Sequence, residues 1–140
     1  MSPNEPTPGT TATAELVVGP QDLASSLSMD QGDQFPTVFA TARMIALMEI
    51  AGSRLLQPFL GPGELSVGVT VDVSHTAPTP PGVLVVATAR YTGREGKLFV
   101  FEVSVSDPGG EVGKGIHKRA IVTGERLARA AAKRVESAGA

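Results

Sequence analysis

The stretch TVFATARMIALMEIAGSRLLQ, residues 37–57, decides the fold. Phe39, Met44, Leu47, Met48, Ala51, Leu55 and Leu56 recur at helical spacing, and Pro58 followed by Gly61-Pro62-Gly63 stops the pattern. Apolar side chains cover much of the circumference, so the helix is expected to be buried on more than one side. Thr41 falls at its N-cap or in its first turn. Glu49 is out of keeping with its neighbours Leu47, Met48, Ile50 and Ala51. Burying a charge is costly, so a functional role is favoured there over a solvated face.

Working outward, the chain after the helix reads as strands. Leu65, Val67, Val69, Val71 and Val73 alternate with Ser66, Gly68, Thr70, Asp72 and Ser74, the period of a strand with two unlike faces. Residues 83–91 and 98–105 follow, joined by Arg94-Glu95-Gly96-Lys97 as a hairpin turn. Asp107-Pro108-Gly109-Gly110 makes the next turn and residues 112–122 the last strand, so these four are read as an antiparallel meander. Before the helix, residues 11–18 form a first strand, ended by Gly19-Pro20. The polar stretch from there to Phe35-Pro36 is too long for a passive turn, and such loops often act as lids.

Residues 1–10, rich in proline, are expected to form a flexible tail, residues 11–127 one domain, and residues 128–140 a C-terminal helical tail. Residues 125–135 carry Leu127, Ala131 and Val135 four apart and read as a short surface helix. About five strands need one face covered, and the apolar helix is the one element able to cover it. The class is therefore α+β: an antiparallel sheet wrapped around one long buried helix, the hot-dog arrangement. An exposed sheet edge invites pairing, which makes a dimer with a continuous sheet the expected assembly, with tetramers left open.

Composition excludes several functions. Twelve Lys and Arg against fourteen Asp and Glu, without a basic block, argue against nucleic acid as a partner. The absence of cysteine removes disulfides, thiolate nucleophiles and the usual zinc sites. His75 and His117 are the only histidines and neither lies in a metal-binding motif, so no metal and no other cofactor is expected. No apolar run spans a bilayer and the N-terminus is polar, so the expected location is the cytoplasm, away from membranes.

Three blocks carry a resemblance: Phe35-Pro36-x-x-Phe39-Ala40-Thr41, then Leu47-Met48-Glu49, then His75-Thr76-Ala77-x-x-Pro80-Pro81-Gly82. A fourth, Gly113-x-Gly115-x-His117-x-Arg119-Ala120, lies in the last strand. In order and spacing they resemble the fluoroacetyl-CoA thioesterase family over roughly residues 11–127. The resemblance implies a hot-dog dimer that hydrolyses an acyl-CoA thioester with a threonine, a glutamate and a histidine, falling here on Thr41, Glu49 and His75. It further implies that Gly68 lines the acyl site and that Arg119 lies near the CoA end. Gly32 departs from the pattern, since the fluoroacetyl-CoA enzyme carries a second lid aromatic there. Selectivity for fluoroacetyl therefore does not follow.

The trio is chemically workable. A histidine suits proton transfer near neutral pH, a glutamate can orient it, and Thr41 offers a nucleophilic hydroxyl or a hydrogen bond that positions water. Backbone N–H groups at the helix start can hold an oxyanion. Two geometric tensions stand. Thr41 and Glu49, eight residues apart on one helix, are separated by about 12 Å, which either an intervening imidazole or Thr41 of a second chain would bridge. His75 and Gly68 have opposite strand parity, so both face one pocket only through a bulge or through two chains. Without the resemblance, Thr41 reads as a cap, His75 and His117 as structural, Arg119, Lys114 and Lys118 as exposed charges, and Phe35 and Phe39 as core, with a lid role for Phe35 as the sharper option. The competing functions are a non-catalytic acyl-CoA binding module, which has no need of Glu49, and an enoyl-thioester hydratase, which lacks its Asp and Asn-Pro signature here.

Overall fold

The computed structural model describes residues 5–139; residues 1–4 of the expected tail, and residue 140, lie outside the described residues. The elements run β1 (Thr11–Val17), α1 (Thr41–Leu56), β2 (Glu64–His75), β3 (Leu84–Glu95), β4 (Leu98–Asp107), β5 (Gly110–Thr123) and α2 (Gly124–Ser137). They form one five-stranded antiparallel sheet curled around α1, as the order of apolar patterns requires.

The order across the sheet is β1-β3-β4-β5-β2, which corrects the expected four-stranded meander. Only β3, β4 and β5 form one, while β2 pairs with β5 at the far edge. Consecutive strands pair by default, but the β2–β3 connection holds Pro78, Pro80 and Pro81, which cannot donate to a ladder. Residues 76–83 instead cross about 14 Å of sheet, three inter-strand spacings. Gly82, at φ +85°, turns the chain into β3.

The core lies between the sheet and α1. Val85, Ala87, Ala89 and Tyr91 of β3 alternate with exposed or half-buried residues, and Phe101, Val103 and Val105 of β4 continue the same face. Met44, Leu47, Met48, Ala51, Leu55 and Leu56 of α1 pack onto it. Phe39 belongs to this core but not to the helix. It reaches inward from an extended lead-in, where its N–H donates to the Thr79 carbonyl (2.9 Å) and it bridges to Leu23. Residues 37–40 of the expected helix therefore lie outside it.

Residues 5–10 run beside β3, where the Gly9 N–H donates to the Tyr91 carbonyl at 2.8 Å. The Tyr91 hydroxyl donates to the Glu5 carboxylate at 3.0 Å; burial and then Glu5 push its ionisation up to about 12. Helix α2 is capped by the Thr123 hydroxyl, which accepts from the Arg126 N–H, and its residues after Gly124 lie exposed. Among the described residues no helix is long and apolar enough to cross a membrane.

β2 leaves one side of the sheet unpaired and exposes Leu65, Val69 and Val71; Ile50 of α1 is exposed as well. Its pairing with β5 shifts by one residue between Gly68 and Thr70, a β-bulge with Val69 as the extra residue.

Candidate active site

Two groups of side chains occupy the seam between α1 and β2. The first stands where the start of the helix meets the end of the strand. Thr41 is the first residue of α1, and Ala40 before it provides no side-chain cap. The Thr41 hydroxyl is not spent on capping: its Oγ1 lies 2.7 Å from Nδ1 of His75. The imidazole stands edge-on to Phe39, with ring centroids 6.2 Å apart, which fixes its plane. Its Nε2 is buried and has no hydrogen-bond partner among the described residues. Leaving such a nitrogen unpaired costs about 1–3 kcal/mol, so the site is built to receive a polar group there. A cavity of about 420 Å³ opens beside it, walled by Leu27, Phe35, Phe39, Thr41, His75 and Pro78. Phe35 is 45% exposed on the lid side, whereas Phe39 is core and wall at once.

The second group lies two turns along α1. Glu49 faces Gly68, where the missing side chain leaves it room: a Cβ there would stand 2.9 Å from Glu49 Oε1. Arg119 Nη1 pairs with the Glu49 carboxylate at 3.5 Å. The same guanidinium donates from Nε to Ser66 Oγ (2.9 Å), from Nη2 to the Ser66 carbonyl (2.9 Å) and from Nη1 to His117 Nε2 (3.1 Å). Arg119 is 4% exposed, so its reading as an exposed charge is corrected. Its donors turn inward, toward Glu49 and the sheet. Gly52 lets the two layers approach, since a Cβ there would come within 3.2 Å of Arg119 Cδ and 3.4 Å of His117 Cδ2.

The bulge removes the parity tension. Seven residues separate Gly68 from His75, which in a regular strand puts them on opposite faces. The extra residue Val69 reverses that count, so both turn toward α1. The other tension resolves differently. Within one chain, Glu49 meets Gly68 and Arg119 while His75 meets Thr41 and Phe39; the imidazole does not bridge Thr41 to Glu49.

Ser66 and Gly52 are part of this arrangement and were not singled out from the sequence, and His117 was read as merely structural. One signal was available: His117 and Arg119, two apart on a strand, share a face.

The family model described as fluoroacetyl-CoA-specific thioesterase matches residues 18–125. A fluoroacetyl-CoA thioesterase from Streptantibioticus cattleyicolor is 40% identical over 117 residues, 82% of this chain and 84% of that protein. A solved structure of the fluoroacetyl-CoA thioesterase superposes with a TM-score of 0.86 at 37% identity, covering 92% of this chain and 97% of that one. A Thermus thermophilus protein described as a thioesterase superfamily member covers 98% of this chain and 99% of its own at 30% identity, with a TM-score of 0.83. With this match spanning the lid, the helix and all strands but the first, the chain belongs to the fluoroacetyl-CoA-specific thioesterase family.

Proposed function

We propose that the chain, an acyl-CoA thioesterase, cleaves small or modified acyl-CoA esters as a homodimer, each site taking Thr41 and His75 from one protomer and Glu49 from the other. The observation that carries this reading is the Thr41–His75 contact at 2.7 Å with the second imidazole nitrogen buried and unpartnered. The unpaired edge of β2 explains where the missing group comes from. Two β2 strands paired antiparallel about a two-fold axis near Val71 and Asp72 set Gly68 of one chain across from His75 of the other. Glu49, already beside Gly68, then faces the free Nε2. The exposed Val69 and Val71 lie within the paired segment and are covered by it.

The chemistry follows from those contacts. Nδ1 of His75 takes the Thr41 proton as Oγ1 attacks the thioester carbonyl carbon. Nε2–H donates to Glu49, whose charge stabilises the imidazolium. First-turn N–H groups of α1, which no side chain caps, hold the oxyanion. Collapse expels the CoA thiol, which takes the proton back from His75, and water activated by the same imidazole hydrolyses the acyl-threonine. A thiol with a pKa of about 8.5 leaves readily, so no metal or redox cofactor is called for. In this arrangement Arg119 serves Glu49 rather than a CoA phosphate. Release of a free thiol fits a reducing cytoplasm. On the lid, Gly32 has no side chain with which to close over an acyl group, and fluoroacetyl is one candidate among small acyl groups.

Complementation tests the assembly. Glu49→Gln and His75→Ala proteins, each inactive, are unfolded together, refolded and assayed for thiol release across a panel of acyl-CoA esters. A shared site yields mixed dimers with one intact centre and about a quarter of wild-type activity. Sites confined to one chain recover nothing. Background rates from the wild type on every ester would overturn the enzyme reading itself. Gly68→Ala gives a further check: the new Cβ displaces the Glu49 carboxylate, and kcat is expected to fall on the order of 10- to 100-fold.

A further inference from the structure

We infer that His117 is a positioning residue for this reaction: its neutral imidazole holds Arg119, and through Arg119 the Glu49 carboxylate, in the orientation the site uses. The inference rests on the thioesterase reading above and assigns a role to a histidine that the catalytic trio leaves out.

The hydrogen bonds fix the state of the ring. A carbonyl only accepts, so the 2.8 Å contact between His117 Nδ1 and the Thr70 oxygen places a proton on Nδ1. A guanidinium only donates, so the 3.1 Å contact between Arg119 Nη1 and His117 Nε2 requires a lone pair on Nε2. Both contacts are satisfied by one species, the neutral Nδ1–H tautomer. The surroundings keep it neutral. His117 is 1% exposed, and burial, followed by the Arg119 charge, pushes its ionisation below the ordinary histidine value against the opposing pull of Thr70 and Glu49.

Each end of the ring is anchored to a different part of the site. Nδ1 holds the carbonyl of Thr70, the residue that follows the bulge, and the bulge turns Gly68 toward Glu49. Nε2 holds the guanidinium that pairs with Glu49. The slot around the ring is made by glycines on two elements: a Cβ at Gly68 would stand 3.2 Å from Cε1, and one at Gly52 3.4 Å from Cδ2. Filling space alone would not need a ring with an accepting nitrogen turned to an arginine.

Two substitutions separate the ends of the ring. His117→Asn keeps a donor near the Nδ1 position for Thr70 and removes the acceptor for Arg119. His117→Gln places an acceptor near the Nε2 position and gives up the bond to Thr70. The expected result is that His117→Asn lowers kcat by about tenfold or more with little change in KM or thermal midpoint, because a hydrogen bond to a charged group is lost. His117→Gln restores most of the kcat that His117→Asn loses and lowers the thermal midpoint. A purely structural histidine gives the reverse, with kcat following the thermal midpoint in both variants, and that result overturns the inference. Imidazole nitrogen chemical shifts of the wild type supply a readout that needs no substrate. An unprotonated Nε2 supports the network, and a protonated one overturns it. A wild type that releases no thiol from any ester sinks the thioesterase reading, and this role with it, whatever the nitrogen shifts show.

Discussion

His75→Ala is expected to lower kcat by about 10³-fold, within the range a positioned general base contributes. Among the described residues His75 is the sole group in hydrogen-bond contact with the Thr41 hydroxyl, and Ala40 rather than Thr41 occupies the N-cap, so the hydroxyl has no structural duty to fall back on. Removing the imidazole leaves Oγ1 at a free alcohol's weak nucleophilicity and leaves the leaving thiol without its proton. The fold should survive. His75 ends β2, its ring contact is with Phe39, and Phe39 keeps its place in the core. The cost to stability is expected to be about 1 kcal/mol, that of an ordinary substitution. Steady-state thiol release beside a thermal melt checks both halves. Activity within tenfold of wild type would move the base elsewhere and leave the Thr41–His75 contact without a role.

The largest effect on stability is expected from a residue with no side chain. In Gly115→Ala the new Cβ would overlap the Asp72 carbonyl oxygen and stand 2.5 Å from Val73 Cα. Both are backbone atoms of the paired strand, so no rotamer change relieves the clash. β2 and β5 must separate or slip, and a one-residue slip turns every side chain of β2 to the wrong face. We expect a loss of about 3 kcal/mol or more, at the upper end for overpacking, and a fall of about 10 °C in the thermal midpoint. Activity should fall with it, because β2 carries both His75 and the edge proposed for dimerisation. Gly32→Ala is the control. Nothing lies within 4 Å of that Cβ, and stability should stay within about 0.5 kcal/mol of wild type. A Gly115→Ala protein as stable as that control would show that the strands accommodate a methyl group and would refute the close packing described here.

The contrast between those two glycines shows how far the sequence could be read. Gly32 and Gly115 look alike in a string of letters, the one noted as a departure from the family pattern and the other as a member of a block. Only the pairing of Val73 with Gly115 makes one of them indispensable. The same holds for His117 and Arg119. Their two-residue spacing put them on one face of a strand, but whether that face met water or a helix depended on Gly52 and Gly68, residues far away in the chain. The meander failed for a related reason. Pro80 and Pro81 were read as part of a familiar block and Pro78 was passed over, when physically the three forbid a tight β2–β3 hairpin and send the chain across the sheet.

The sequence by itself determined the buried helix around Met44, Leu47, Met48 and Leu55, the five strands and their order along the chain, and the anomaly of Glu49. These are local properties: periodicity and turn chemistry act within a few residues, and the cost of desolvating a carboxylate is visible from its neighbours. The tertiary structure alone decided the partners. It moved β2 to the edge beyond β5, reversed the parity of Gly68 through the bulge at Val69, joined Thr41 to His75, and set Glu49 against Arg119 rather than against the imidazole of its own chain. Pairings of that kind are set by which backbones can approach and which charges must be buried together, and both quantities exist only once distant segments are packed.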